Sequence, residues 1–167
     1  MTLRAQVEAA FGMRKYPSLV VEARSPVTPE QRDAIWFAGR HWREVAWQDW
    51  QSHPDAFYSF VPEAFVFYLP SVLIGAMTAP NCELLAADAL IGMLDRSPEP
   101  YHWDAFMTAR LVGLEPAEYE VLKAWLLWRS EEVETSDEDS LIRAYETIDL
   151  LAQETERVRV FLRFKQS

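Results

Sequence analysis

The segment from Phe57 to Ala79 constrains the fold more than any other part of the chain, because it carries almost no side chain that favours water. Its longest apolar passage runs from Ala64 to Met77 and is interrupted only by Pro70 and Ser71. A helix that crosses a membrane needs roughly 17–25 apolar residues, so this passage is too short to span a bilayer. Apolar residues occupy all of its faces, which predicts a helix buried on every side within a protein core.

Local signals predict where this core helix begins and ends. Pro62 followed by Glu63 suits a first helical turn, because the backbone angle of proline is already helical and the carboxylate lies at the positive end of the helix dipole. Pro70 is expected to kink the helix or split it, since proline removes one backbone hydrogen bond. Pro80 ends the segment.

Further helices are predicted on both sides of the core segment. The clearest start is Thr28-Pro29-Glu30-Gln31, which has the pattern of a capping box. Asn81 is a candidate cap for a later helix. Apolar residues recur at helical spacing in segments 3–11, 40–51, 82–94, 101–114, 116–129 and 137–157. The predicted fold class is therefore mainly α: a compact, single-domain bundle of about six to seven helices around a central apolar helix, covering residues 1–167.

Two segments leave a minor two-stranded β element open. Residues 16–24 contain a short β-branched run after a proline, which favours an extended conformation. Residues 157–164, with the sequence RVRVFLRF, alternate apolar and basic side chains, which is the period of a strand. The second segment has three alternatives: it frays, it continues the last helix, or it pairs with residues 18–22.

The charge balance bears on the kinds of partner. The chain holds 26 acidic and 16 basic residues, a formal net charge of −10, so phosphate backbones and anionic lipid surfaces repel it. We expect neither a nucleic-acid partner nor a membrane partner. The single cysteine, Cys82, excludes an internal disulfide, and residues 1–15 lack the apolar core of a signal peptide. A cytoplasmic location is the expectation.

Motifs of known chemistry are missing from the sequence. It has no HExxH, paired CxxC, GxSxG, P-loop or dinucleotide fingerprint. With three histidines, the nearest metal-ligand candidates are His41 with Glu44 and His102 with Asp104, for which solvated or capping roles are the simpler interpretation. We assign no catalytic residue, metal or cofactor; whether the chain is an enzyme stays open, with the balance against it.

Two features favour a protein partner. Residues 130–140 hold six acids and no base, which predicts either a solvated loop or a patch that attracts a basic surface. Seven tryptophans exceed what one small core needs, and we expect one or two at the surface, where tryptophan is enriched among binding hot spots. The candidate partner-binding residues are Glu131, Glu132, Glu134, Asp137, Glu138, Asp139, Trp42, Trp47 and Trp50.

Several short pieces occur in a defined order along the chain. The most specific is an aromatic residue followed by Tyr68-Leu69-Pro70, which comes after Pro62-Glu63-Ala64-Phe65. The other pieces are Ala10-Phe11, Tyr16-Pro17, Trp42 with Glu44-Val45, Leu114-Glu115-Pro116 and Ala124-Trp125-Leu126. Together they resemble a family of small bacterial proteins classified only as a domain of unknown function. The resemblance covers residues 10–130 and implies a compact helical domain without any assigned activity. The chain departs from the family pattern at Glu115 and Tyr119, where a small polar cap and a glutamine are expected.

These observations support a ranked set of functions. The first is a protein-binding module, in its concrete form an immunity protein that neutralises a basic bacterial toxin through an acidic and aromatic face. The alternative is a small enzyme or ligand-binding helical domain with a pocket lined by aromatic side chains. A third is a structural subunit with a large apolar patch that forms a homo-oligomer.

Overall fold

The structure is a computed structural model that describes residues 1–23, 26–134 and 137–167. These residues are mainly helical, as predicted. Their nine α-helices are α1 (Leu3–Phe11), α2 (Pro29–Ile35), α3 (Trp47–Ser52), α4 (Ala56–Ser59), α5 (Pro62–Thr78), α6 (Leu85–Leu94), α7 (Ala105–Leu111), α8 (Pro116–Glu132) and α9 (Glu138–Gln166). Short 3₁₀-helices lie at Trp42–Glu44, Pro80–Cys82 and Pro100–His102.

The described helices outnumber the six to seven predicted, because short elements such as the four-residue α4 interrupt the longer segments. The capping box of α2 is confirmed: the Thr28 hydroxyl accepts the Gln31 N–H and the Gln31 amide oxygen accepts the Thr28 N–H, both at 3.2 Å. The predicted cap at Asn81 is wrong. Asn81 adopts a left-handed φ of 56° inside a 3₁₀-helix, and α6 begins only at Leu85.

The C-terminal segment is helical. Residues 157–164 belong to α9, which continues to Gln166, and no strand occurs in the described residues. The minor two-stranded element is therefore not found among them. Residues 16–23 have no regular secondary structure, while Arg24, at the end of that predicted extended segment, lies outside the described residues. Thr135 and Ser136, within the acidic run, also lie outside them.

The chain divides into two units, residues 1–90 and 91–167. In the first unit, α5 is buried along most of its length, with twelve of its seventeen residues buried. Pro70 lies within α5 and does not split it. The helices α1 and α3 and the 3₁₀-helices Trp42–Glu44 and Pro80–Cys82 all pack against α5, whereas α2 packs against α4.

Tyr68 ties α5 to the chain that follows α2. Its hydroxyl lies 2.5 Å from the Phe37 carbonyl and 2.8 Å from the Arg40 carbonyl, and it donates its proton to this pair. The rings of Phe37 and Phe60 pack on Tyr68 with centroids 5.2 Å away. Burial raises the pKa of Tyr68 to about 12, so the hydroxyl stays protonated and remains a donor at neutral pH.

In the second unit, α8 and α9 pack against each other and are joined by residues 133–137. The last buried residue of α9 is Thr155. Its hydroxyl accepts the Gly113 N–H at 2.9 Å and lies 2.7 Å from the Tyr119 hydroxyl, which donates to the Leu111 carbonyl. This buried network attaches α9 to the segment between α7 and α8.

A two-point ion pair attaches the other half of α9. The Arg143 guanidinium donates to both carboxylate oxygens of Asp95, with distances of 2.6 and 3.0 Å. Hydrogen bonds from Arg143 hold the pKa of Asp95 below its ordinary value of 3.8. The pair fixes the start of α9 against the chain that follows α6.

None of the helices in the described part of the chain combines the length and the apolar character that crossing a membrane requires.

We expect the substitution Tyr68→Phe to lower the free energy of unfolding by about 1–2 kcal/mol, because two buried carbonyls lose their shared donor. Tyr68→Ala also removes the ring and should cost about 3–5 kcal/mol. Chemical denaturation followed by circular dichroism measures both values. Equal losses for the two variants would contradict the role assigned to the hydroxyl.

We expect Asp95→Asn to destabilise the protein by about 1 kcal/mol at pH 7, since the pair with Arg143 is partly exposed. The folded-state pKa of Asp95 is lowered, so the stabilisation is present above about pH 4 and is lost as the pH falls through that folded-state value. Denaturation of both proteins at a series of pH values should show the difference vanishing in acid. A difference that persists there would contradict this assignment.

Candidate functional site

The six predicted acids lie around the connection between α8 and α9. Glu131 and Glu132 end α8, Asp137 caps α9, and all six side chains are exposed. Asp137 accepts the Asp139 N–H at 3.1 Å and the Ser140 hydroxyl at 2.9 Å, and these hydrogen bonds lower its pKa. The chain therefore presents six exposed acidic side chains around the connection between α8 and α9.

Helix stability explains only some of these acids. Asp137, Glu138 and Asp139 lie at the positive end of the α9 dipole, where carboxylates stabilise a helix. Glu131 and Glu132 lie at the negative end of α8, where carboxylates are unfavourable. The helix dipole thus gives no reason for the acids of α8, and both predicted interpretations, a solvated surface and a patch that attracts a basic partner, stay open for them.

An apolar groove opens beside these acids, and we name it the α8–α9 groove. Its volume is about 340 Å³, and far more of its lining is apolar than polar. Buried Leu126 and Leu141 are part of its lining, together with Leu127 and Ile142, which are 53% and 50% exposed. The remaining lining residues are Ser130, Glu138, Tyr145 and Glu146.

The sequence did not predict this groove. Apolar residues of both helices, Leu127 and Ile142 among them, fit a position in the core as well as a position in a groove. One signal was present: Leu127 directly follows the buried Leu126, and Ile142 directly follows the buried Leu141. Since adjacent helix positions differ by about 100° in direction, the second residue of each pair leaves the buried face.

The three candidate tryptophans belong to the first unit, and two of them are buried. Trp42 is 1% exposed and Trp50 is 3% exposed, while Trp47 is half-buried. The Trp50 indole N–H donates to the Ser71 hydroxyl at 3.0 Å, which places Trp50 in the core. Of the three, only Trp47 is partly accessible to solvent, and none of them is among the exposed large apolar residues.

A second concave site lies within the first unit, and we name it the Trp42 pocket. It has a volume of about 330 Å³ and a mixed polar and apolar lining. Trp42, Trp47 and Ser71 line it, together with α1 side chains that form the 3.1 Å Arg4–Glu8 ion pair. The other lining residues are Arg43, Glu44, Val45, Ala46, Ile74, Gly75 and Thr78.

One buried polar atom belonging to a residue that lines this pocket is unsatisfied. The Trp42 indole nitrogen is buried and finds no hydrogen-bond partner among the described residues. The Arg43 guanidinium stacks 4.3 Å above the Trp42 ring. The Glu44 carboxylate accepts the His41 N–H at 2.8 Å, and Arg4 is paired with Glu8. Arg43 is therefore the main positive group available at the pocket.

The histidines have local partners. Nδ1 of His41 accepts the Arg43 N–H at 3.1 Å, and burial together with the nearby Arg43 charge lowers the His41 pKa. His102 lies 3.1 Å from Glu99 rather than pairing with Asp104, whose carboxylate caps α7. Within the described ranges, no three side chains of the His, Cys, Asp or Glu type are grouped so that they could hold a metal ion.

Comparison of the chain with protein-family models, with curated proteins and with solved structures found no match.

Proposed function

We propose that the chain is a protein-binding module whose α8–α9 groove holds a basic, amphipathic segment of a partner. The observation that carries the proposal is an apolar groove with half-exposed leucine and isoleucine walls beside a series of exposed carboxylates. Apolar side chains of the partner would fill the groove, and basic side chains would face the acids. Grooves of this kind recognise a helix through residues spaced three and four apart.

The acids have a separate task from the groove. Because they are exposed, each pair formed with a partner contributes little free energy at equilibrium. Their combined field speeds the approach of a basic surface and weakens as salt screens it. The proposal therefore assigns affinity to the groove and association rate to Glu131, Glu132, Glu134, Asp137, Glu138 and Asp139.

In its concrete form, the proposal is an immunity protein that neutralises a basic bacterial toxin. The acidity of the chain and its lack of catalytic motifs support this role. Co-expression with the product of the neighbouring open reading frame tests it: the neighbour should be toxic alone, and a stoichiometric complex should abolish that toxicity. The same proposal includes a cytoplasmic location, a single helical domain built on α5 and the family resemblance.

We expect Leu127→Glu to weaken the binding of a synthetic basic amphipathic helical peptide about tenfold or more, because a charge enters the apolar groove. Fluorescence anisotropy of the labelled peptide measures this affinity at low protein concentration. Leu19→Glu is the matched control, since Leu19 is 57% exposed but belongs to the first unit. Equal affinities for both variants would contradict the groove assignment.

We expect joint replacement of the six acids by Asn and Gln to slow association of the same peptide, most strongly at low salt. Stopped-flow association rates over a range of salt concentrations measure the effect. Wild type should lose its rate advantage as salt rises. An unchanged rate at low salt would show that the acids form only a solvated loop.

A second candidate function is small-ligand binding in the Trp42 pocket. The observation that favours it is the Arg43 guanidinium stacked on the Trp42 ring among the residues that line the pocket, a combination suited to a flat organic carboxylate. A volume of about 330 Å³ falls at the lower end of the range for small-molecule sites.

We expect small aromatic carboxylates to raise the melting temperature of the wild type, because a ligand that binds only the folded state stabilises it. Thermal-shift measurements with a panel of such acids test this, and Arg43→Gln should abolish the shift. Neutral amides of the same compounds are the matched controls. No shift with any carboxylate would remove this candidate.

A further inference from the structure

The C-terminal part of α9 is an unpartnered helix face. No residue of α9 beyond Thr155 is buried. Its apolar side chains there are 41–77% exposed, the largest value belonging to Phe164. We name residues 157–166 the α9 tail; its exposed apolar residues are Val158, Val160, Phe161, Leu162 and Phe164.

Charge divides α9 into two unlike halves. Between Glu138 and Leu150 the helix has four acids and one base, and that base, Arg143, is neutralised by Asp95. Between Arg157 and Gln166 it has four bases and no acid. Arg157 pairs with Glu154 at 2.8 Å and Arg159 with Glu115 at 3.3 Å, so the charge available to a partner is that of Arg163 and Lys165. The α9 tail is therefore basic and apolar, which is the chemistry that the α8–α9 groove accepts.

The tail cannot reach the groove of its own chain. Ile142 and Phe161 lie on one continuous helix, nineteen residues apart, which corresponds to about 28 Å at 1.5 Å per residue. A tail that fills such a groove must come from another molecule, and a second copy of this chain carries both surfaces.

An exposed stripe along α9 sets the register of such a contact. Positions 142, 146, 149, 153, 156, 160 and 164 are all exposed and recur at intervals of three and four, so they share one helix face. In an antiparallel pair centred on Gln153, Ile142 faces Phe164 of the second copy, and Glu146 faces its Val160. Apolar residues thus meet at both ends of the contact.

We infer that two copies of this chain associate through antiparallel α9 helices, each inserting its basic, aromatic tail into the α8–α9 groove of the other. The inference rests on the proposed function, since it names an occupant of the same groove. The contact is isologous, so both grooves are filled at once and the assembly closes as a dimer. A basic protein partner would compete with this contact for the groove.

Sedimentation velocity of the full chain over a wide concentration range tests the pairing. The wild type should dimerise, and high salt should weaken the dimer. Ile142→Lys and Phe164→Glu should each raise the dimer dissociation constant about tenfold or more, because each buries an unpaired charge. The double variant should recover dimerisation, because the two introduced charges have opposite signs and face each other across the pair.

The matched control is Leu162→Glu. Leu162 is 51% exposed, close to the 50% of Ile142, but lies about 160° away from the stripe on α9. This variant should dimerise as the wild type does. Circular dichroism should show the same helix content for all variants, since every substituted side chain is exposed.

Several outcomes would overturn the pairing. In the first, the wild type stays monomeric at all concentrations. In the second, Ile142→Lys and Phe164→Glu leave the dimer dissociation constant unchanged. In the third, the double variant does not recover dimerisation. Binding of a monomeric wild type to vesicles of anionic lipid, lost in Phe164→Glu, would assign the tail to a lipid surface instead.

The two proposals fail separately. A monomer that still binds the basic peptide in a Leu127-dependent manner overturns the pairing and leaves the proposed function intact. Conversely, if the double variant restores the dimer while Leu127→Glu leaves the peptide affinity unchanged, that pair of results supports the pairing and removes the proposed function.

Discussion

Burial of α5 is the constraint on which the first unit depends. A helix that is apolar on every face must be covered on every face, so α1, α3 and two 3₁₀-helices are arranged around it. Large aromatic side chains cover α5, because each of the short helices around it contributes few residues. The polar atoms enclosed with them need partners, and the Tyr68 hydroxyl meets that need for two carbonyls at once.

The two long helices of the second unit, α8 and α9, differ in length. The seventeen residues of α8 span about 26 Å, whereas the twenty-nine residues of α9 span about 43 Å. Since α8 is the helix that packs most extensively on α9, the excess length of α9 leaves apolar side chains uncovered beyond Thr155. The same pair of helices leaves the α8–α9 groove at its other end. Apart from Tyr101 and Phe106, the exposed large apolar side chains described in this unit thus lie at two places that differ in charge.

The α8–α9 groove and the α9 tail lie apart on α9, and this arrangement connects the proposed function with the inferred dimer. A groove beside acids attracts basic amphipathic segments in general, and the α9 tail is one such segment present at the same concentration as the groove. Self-association would then keep both apolar surfaces out of water until a stronger basic partner arrives. The Trp42 pocket is independent of this chemistry, because every residue that lines it belongs to the first unit.

By itself the sequence determined the helical class, the capping box at Thr28 and the acidic run, because each depends on neighbours within a few residues. It left the C-terminal segment undecided, since alternating Val and Arg side chains fit a strand period even though α9 continues through them. Tertiary structure alone decided that Trp42 and Trp50 are buried and that Leu127 and Ile142 are exposed. Exposure depends on which residues of distant segments cover a side chain, and that information lies in the packing of helices rather than in the spacing of residues.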